Sequence, residues 1–346
     1  MNKRILGLDV LRFFAITLVL IRHGQMTDNY LYDFGWLGVD LFFVLSGYLV
    51  SGLLFKEYKQ NGKARVKRFL IRRGFKIYPA FYIFLAISIF IEHQRDGFVP
   101  TLETLFGEAL YLQSYLPHIW SHTWSLAVEE HFYLALAIIM FILSRLKGLD
   151  KKVRVIGILV LTLAFSFVLR LNETWPHKEE PFFSFMATHL RLDGIIVGVL
   201  VSYLKYFTNF IDKVKSYRWL FAMIGFGLVL PGFVFKGGSF EMNTFGLSTV
   251  NLGFGCFLVC SLWNLGLPNG LNKLLQPIYW LVQLIGQHSY SIYLWHIANR
   301  NFMNDFFDFG VVNNTLLYIL LSYVSGILLS LIIERPFLKL RERFAP

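Results

Sequence analysis

The chain has 346 residues, of which 55% are hydrophobic, 18% aromatic and only 16% charged, and its mean hydropathy is positive; soluble domains seldom combine these values. It reads as an integral membrane protein. The net charge of +11 comes from basic residues gathered at alternate helix ends, which orients a membrane protein and argues against a nucleic-acid face.

The first apolar segment, residues 5–23, contains Arg12 and His23. Eleven residues apart at about 100° each, they return to nearly one helix face with roughly 16 Å of rise between them. A charge at mid-membrane costs at least about 2.5–3.5 kcal/mol unless it meets protein or water, so this stripe is expected to look into the bundle. The run is too long for a signal peptide, carries Asp9 and lacks a small-x-small cleavage pattern, so the segment is read as retained.

Further apolar stretches lie near 36–55, 77–92, 124–144, 153–170, 187–205, 218–235, 246–265, 279–298 and 315–333. A span needs about 20 residues, so the expectation is an all-α polytopic membrane helix bundle of about ten transmembrane helices. Lys and Arg concentrate in 56–76, 145–154, 205–218 and the tail from Arg335, which places both termini in the cytoplasm. One membrane domain, 1–346, accounts for the chain, with no fused soluble domain. The connection from Arg95 to Thr123 contains Pro100, Pro117, His118, Trp120 and His122 and is expected to form an outer cap or re-entrant segment.

This topology puts Arg12 in the inner half of helix one and His23 near the outer mouth. Helix four runs the other way, so Glu129 and Glu130 share the depth of His23. A neutral imidazole beside a carboxylate is a common pairing for taking a proton from a hydroxyl. The plain alternative is an interfacial histidine and a first-turn helix acid. Asp40, one turn into helix two, also matches the His23 end and is expected to hold His23 or an arginine, while Ser46 and Gly47 read as small residues permitting close helix approach.

Residues 56–76 hold nine Lys or Arg. Arg68, Arg72, Arg73 and Lys76 recur at helical spacing, giving a basic face suited to phosphate, or equally a topology determinant touching anionic lipid. Arg191 and Asp193, two residues apart, cannot pair across one helix face and should serve different neighbours. His288 and His296 lie two turns apart on about one face, and Pro336 is expected to end helix ten with Arg335 as its cap. Cys256 and Cys260 read as packing, and nothing shows metal-ligand spacing.

Leu8-Asp-Val-Leu-Arg12 with His23, Gly38-Val-Asp40 through Ser46-Gly47-Tyr48, Arg72-Arg73 before Tyr78-Pro79, Trp124-Ser125 through Glu129-Glu130-His131-Phe-Tyr133, Ser289 through Trp295-His296 and Glu334-Arg335-Pro336 together resemble the acyltransferase-3 family of membrane-bound O-acyltransferases. The resemblance runs in order over essentially the whole chain, and the arginine, ten residues, histidine spacing is its most recognisable mark. His131 stands where many members have glutamine, and Tyr48 where phenylalanine is common.

The resemblance implies transfer of an acyl group, most often acetyl, from acyl-coenzyme A to a hydroxyl of a sugar in a glycan, glycolipid or small metabolite, at a bacterial inner membrane. Arg68, Arg72 and Arg73 would hold the coenzyme A phosphates and Arg12 would lie beside the pantetheine arm. His23 would be the base, oriented by Glu129 or Glu130, with Asp40 holding Arg12 or His23 and no metal required. A multi-span transporter using the same His, Asp and Arg as a relay is the competing class; internal repeats would favour it, and none is seen.

Overall fold

The computed structural model describes residues 5–24, 30–146, 151–174, 186–263, 269–307 and 309–345. Among them no strand occurs. Helices of eight or more residues run in the order α1 (Leu6–His23), α2 (Gly38–Asn61), α3 (Val66–Asp96), α4 (Leu102–Ala109), α5 (Trp124–Leu146), α6 (Lys152–Thr174), α7 (Leu192–Phe207), α8 (Arg218–Val229), α9 (Leu247–Ser261), α10 (Asn269–Gln287), α11 (Ser289–Phe306), α12 (Val311–Leu329) and α13 (Arg335–Phe344).

Among the described residues, seven helical stretches are long and apolar enough to cross a membrane, against the ten expected. The shortfall has local causes. In its 18 residues α1 carries Asp9, Arg12 and Arg22, and α7 has only 16 residues. The expected span 279–298 is divided between α10 and α11, because His288 leaves helical geometry at φ −100° and ψ 11°, with its Nδ1 2.8 Å from Ser330 Oγ. Conversely, α3 starts eleven residues earlier than the apolar stretch at 77 and passes through Pro79 without ending, so Arg68, Arg72, Arg73 and Lys76 do lie on a helix. Pro336 likewise does not stop the last helix; it occupies the first turn of α13, after one turn of π-helix, Ser330–Glu334.

The longest helix contact is between α2 and α7. Two glycines make it possible: a Cβ at Gly47 would strike the Ile195 carbonyl, and one at Gly198 the Val44 carbonyl. Gly38 similarly sits against α1 at Ala15. Such backbone approach supplies dispersion contacts where lipid offers little hydrophobic drive. Ala64 N donates to Ser144 Oγ at 3.3 Å, so the end of α5 lies beside the turn between α2 and α3. This end of the bundle is the basic one.

At the opposite end, the connection from α3 to α5 folds over the helix ends around one carboxylate. Glu108, fully buried, accepts from Ile119 N at 2.9 Å and Trp120 N at 3.3 Å, from Thr123 Oγ1 at 3.1 Å and from Gln113 Nε2 at 2.8 Å. Four donors satisfy a charge that could not be buried alone. The turn is tight enough to hold Tyr111 at φ 57°.

Candidate active site

The basic face of α3 does not meet open solvent. The last helix, α13, lies across it: Arg72 Nη1 donates to the Ala345 carbonyl at 2.7 Å, and Phe344 stacks on Phe75 with ring centroids 5.5 Å apart. Between α2, α3 and α13 lies a cavity of about 520 Å³ lined by Arg12, Lys56, Arg65, Arg68, Arg72, Arg73, Lys76 and Arg341, with Glu57 its one acid. Glu57 is engaged by Arg65 Nε at 2.5 Å. Eight cations against one carboxylate leave a vestibule that favours a polyanion.

Deeper in the bundle, α2, α3, α5 and α11 enclose a second cavity of about 150 Å³. Arg12, Leu49, Arg73 and Lys76 line both, so vestibule and chamber meet at these four side chains. The chamber is polar on its α5 side. Ser46 Oγ is 2.6 Å from Tyr133 OH, and Tyr133 OH donates to Glu129. With its one proton used there, Tyr133 must accept from Ser46, giving a directed chain Ser46 to Tyr133 to Glu129. The Arg73 guanidinium lies over the Tyr133 ring, 4.9 Å from its centroid. Glu130 accepts from Tyr78 OH at 3.0 Å, while its Oε1 is buried with no hydrogen-bond partner among the described residues.

His23 is the last residue of α1, and neither glutamate contacts it. Its Nδ1 lies 2.9 Å from the Val19 carbonyl and 3.2 Å from His296 Nε2. His296 Nδ1 in turn bonds the Tyr293 carbonyl. Carbonyl oxygens only accept, so in the neutral rings both Nδ1 atoms carry the proton. His23 then donates to Val19 and His296 together, and its Nε2 is the basic nitrogen. The rings of His23 and His296 are edge to face at 4.8 Å, and those of His296 and His122 at 4.9 Å.

A wall separates this cluster from the chamber. Tyr293 lines the chamber and its ring is 5.3 Å from that of His296; its hydroxyl donates to the His122 carbonyl at 2.7 Å and lies 2.6 Å from Ser125 Oγ.

Some expected pairings are thereby corrected, and one is met in part. Asp40 does hold an arginine, but it is Arg191 and neither Arg12 nor His23: both its oxygens accept from Arg191 Nη2 at 3.0 Å, since α7 and not α1 runs closest along α2. Arg12 pairs within α1, with Asp9 at 2.8 Å, because three residues' separation puts the two on one face. Glu129 and Glu130 reach tyrosines on α5 and α3 instead of His23. The separate service of Arg191 and Asp193 is seen, for Asp193 pairs with Arg170 at 2.9 Å. His288 and His296 face different neighbours, because the helix breaks at His288.

Arg68, Arg72, Arg73 and Arg12 do converge, with Arg341 and Lys76 added to them. Tyr133, four residues after Glu129 and so on its face, was readable as a partner; Tyr78 and Tyr293 fall within motifs of the resemblance but no role was read for them, and Arg170 had no signal beyond being polar in an apolar run. Glu334, set in the π-turn, is buried and accepts from Ser291. Among the described residues no group of three or more His, Cys, Asp or Glu is arranged to hold a metal ion.

Comparison with known proteins adds the lineage. The model of the acyltransferase-3 family, described as an acyltransferase domain, matches residues 5–335. A Staphylococcus aureus (strain COL) protein with a provisional O-acetyltransferase name is 26% identical over 376 residues, covering 96% of this chain and 57% of its own length. The O-acetyltransferase OatA of S. aureus (strain NCTC 8325) is 25% identical over 328 residues, covering 88% and 52%. The chain thus spans little more than half the length of these curated relatives. No solved structure matches it.

Proposed function

Since the chain belongs to the acyltransferase-3 family, we propose that it is a membrane O-acyltransferase that moves an acyl group, acetyl in the first instance, from acyl-coenzyme A to a sugar hydroxyl. One observation carries this reading: a vestibule lined by eight cations meets a small polar chamber at Arg12, Leu49, Arg73 and Lys76. A phosphate-rich head on a thin arm with a small reactive end has that shape.

The phosphates of the donor lie against Arg68, Arg72, Arg73 and Arg341, where guanidinium forks match phosphate oxygens. The pantetheine arm passes Arg12, and the thioester lies in the chamber against the Ser125 and Tyr293 wall. His23 Nε2 takes the proton of the acceptor hydroxyl as its oxygen bonds the acyl carbon and the carbon–sulfur bond breaks. Coenzyme A leaves as the thiolate toward Arg12 and Lys76. The Val19 carbonyl fixes the tautomer that leaves Nε2 basic, and His296 is the second acceptor of the same proton. Tyr293 and behind it His296 stand between the chamber and His23, so both side chains must give way for the two groups to meet.

In this reading the helices cross the inner membrane of a bacterium about ten times, α1, α7 and α11 being sheltered among the more apolar ones, with both termini and the vestibule on the cytoplasmic side. Supplying purified protein with acetyl-labelled coenzyme A tests the reaction. Label is expected to leave the thioester only when a hydroxylated acceptor is present; a thioester that stays intact with membrane saccharides from the native cell sinks the proposal.

A further inference from the structure

The last helix, α13, closes the vestibule with one face and turns another outward. On the inner face Arg341 lines the cavity together with Arg68, Arg72 and Arg73 of α3. Like charges facing one another across a cavity repel. The Arg72 hydrogen bond to the Ala345 carbonyl at 2.7 Å and the Phe344 stack on Phe75 work against that repulsion, and a counter-anion on either side of α13 would add to them.

The outer face carries a stripe of three cations. Lys339 and Arg343 follow Arg335 at four-residue steps, and at about 100° per residue each step turns the chain on by only about 40°, so the three share a strip about 80° wide. All three are exposed, as is Glu342 at the edge of the strip. Arginine forks and a lysine ammonium on one face present donors to a phosphate.

The stripe begins where a membrane span ends. With 19 residues, α12 rises about 28 Å, enough to cross a hydrocarbon core of about 30 Å, and it belongs to one of the stretches apolar enough to do so. Leu331 and Ile332 in the π-turn after it are exposed, and so are Leu340 and Phe344 of α13, which lie about 60° and 100° beyond Arg343 around the helix. A solvated face would account for the cations alone. An apolar border that continues from a span and runs beside a cation stripe fits the boundary between headgroups and acyl chains.

We propose that an anionic phospholipid of the adjoining leaflet docks its phosphate on Arg335, Lys339 and Arg343 and so holds α13 against α3 as the wall of the vestibule. The effect of that wall on donor binding rests on the acyl-transfer reading above; the lipid site does not. Negative charge on the outer stripe offsets the repulsion that Arg341 meets inside, while Leu340 and Phe344 enter the apolar layer. A polyanion in the vestibule offsets the same repulsion from within. Each anion thus favours the position of α13 that the other needs, and the coupling runs both ways.

Two measurements test it. In native mass spectrometry with equal phosphatidylglycerol and phosphatidylcholine, the wild-type protein is expected to retain phosphatidylglycerol about fivefold or more over phosphatidylcholine. Arg335→Gln with Lys339→Gln and Arg343→Gln should remove most of that preference, and Arg335→Lys with Arg343→Lys, which keeps the charge, should preserve it. A Gln variant with the full preference overturns the site, as does a Lys variant as impaired as the Gln variant. The second measurement reads the wall, by calorimetric binding of free coenzyme A to protein in nanodiscs. Replacing part of the phosphatidylcholine by phosphatidylglycerol is expected to tighten that binding about fivefold or more in the wild type and not in the Gln variant, where the anionic surface only repels the ligand. Unchanged or weaker binding in the wild type overturns the wall, and equal tightening by soluble glycerol phosphate overturns the lipid as its occupant. Phosphatidylglycerol held by the stripe of a protein that binds no coenzyme A in either bilayer would sink the donor reading, and the wall's role with it, and leave the lipid site standing.

Discussion

Asp40 and Arg191 are sealed against each other: both carboxylate oxygens accept from one arginine nitrogen at 3.0 Å, and each side chain is only 1% exposed. Trp124 flanks the pair, its ring centroid 5.3 Å from the guanidinium. The pair pins one end of the α2–α7 interface whose middle is closed by Gly47 and Gly198. Asp40→Ala would remove the carboxylate that faces Arg191 Nη2 in a sealed interface, a loss of roughly 3–5 kcal/mol if the pair is broken from one side. Thermal unfolding in detergent should show it. Asp40→Leu with Arg191→Met should recover much of the loss, and an Asp40→Ala protein as stable as wild type would contradict a structural role.

His23→Ala removes the basic nitrogen and little packing. Acyl transfer should fall by about 10²–10⁴ with expression and melting temperature preserved. His296→Leu removes only one of the two acceptors of the Nδ1 proton, leaving the Val19 carbonyl, so its loss should be smaller. Normal turnover in His23→Ala would remove histidine from the mechanism.

Replacing Arg72 and Arg73 together by Gln should raise the donor KM much more than the acceptor's, at roughly 1.5–3 kcal/mol for each charge-assisted hydrogen bond lost. Arg72 already gives one hydrogen bond to Ala345. Arg341 lines the same vestibule, so Arg341→Gln alone should weaken the donor too, and both variants should lose part of the salt dependence of donor binding. Lys63→Cys should react only with reagent reaching the cytoplasmic face; labelling solely from outside would overturn the orientation.

Tyr133→Phe breaks the chain from Ser46 to Glu129 and removes one donor from a half-buried carboxylate, a loss of about 0.5–1.5 kcal/mol. If the chain acts as one unit, Ser46→Ala added to Tyr133→Phe should cost less than the two single changes summed, by about 0.5–3 kcal/mol. Strict additivity in turnover or melting would show two independent contacts.

Depth along a helix was only partly legible in the sequence, and position around the bundle was not. Hydropathy and basic-residue alternation put Glu129 at the level of His23, yet Glu129 shares its chamber with Arg12, Arg73 and Lys76. Which residues face each other depends on helix neighbours: His23 meets His296 from 273 positions away, and Asp40 meets Arg191 from 151 away. Gly47 was read as allowing close approach, but its partner was not nameable, and Gly198 on the facing helix was not singled out. Helix ends erred for a related reason. A one-residue break at His288 barely alters an average over 20 residues, and the basic opening of α3, though its helical spacing was read, fell outside the apolar stretch at 77 because its charges lower a hydropathy average. The arginine cluster was readable because its members lie within two turns of one helix.

The chamber also works as a ruler. Its volume of about 150 Å³ equals that of an engineered apolar cavity known to hold benzene, about six carbon-sized atoms. With the thioester carbonyl and sulfur inside, room remains for only a short tail among the lining residues Phe42 and Tyr290. On the donor reading, chain length is then selected by wall position and not by any recognition of the acyl group itself. Turnover should drop steeply between acetyl and acyl chains of about four carbons or more, and Phe42→Ala should move that limit outward while leaving the affinity of the phosphate-binding vestibule untouched.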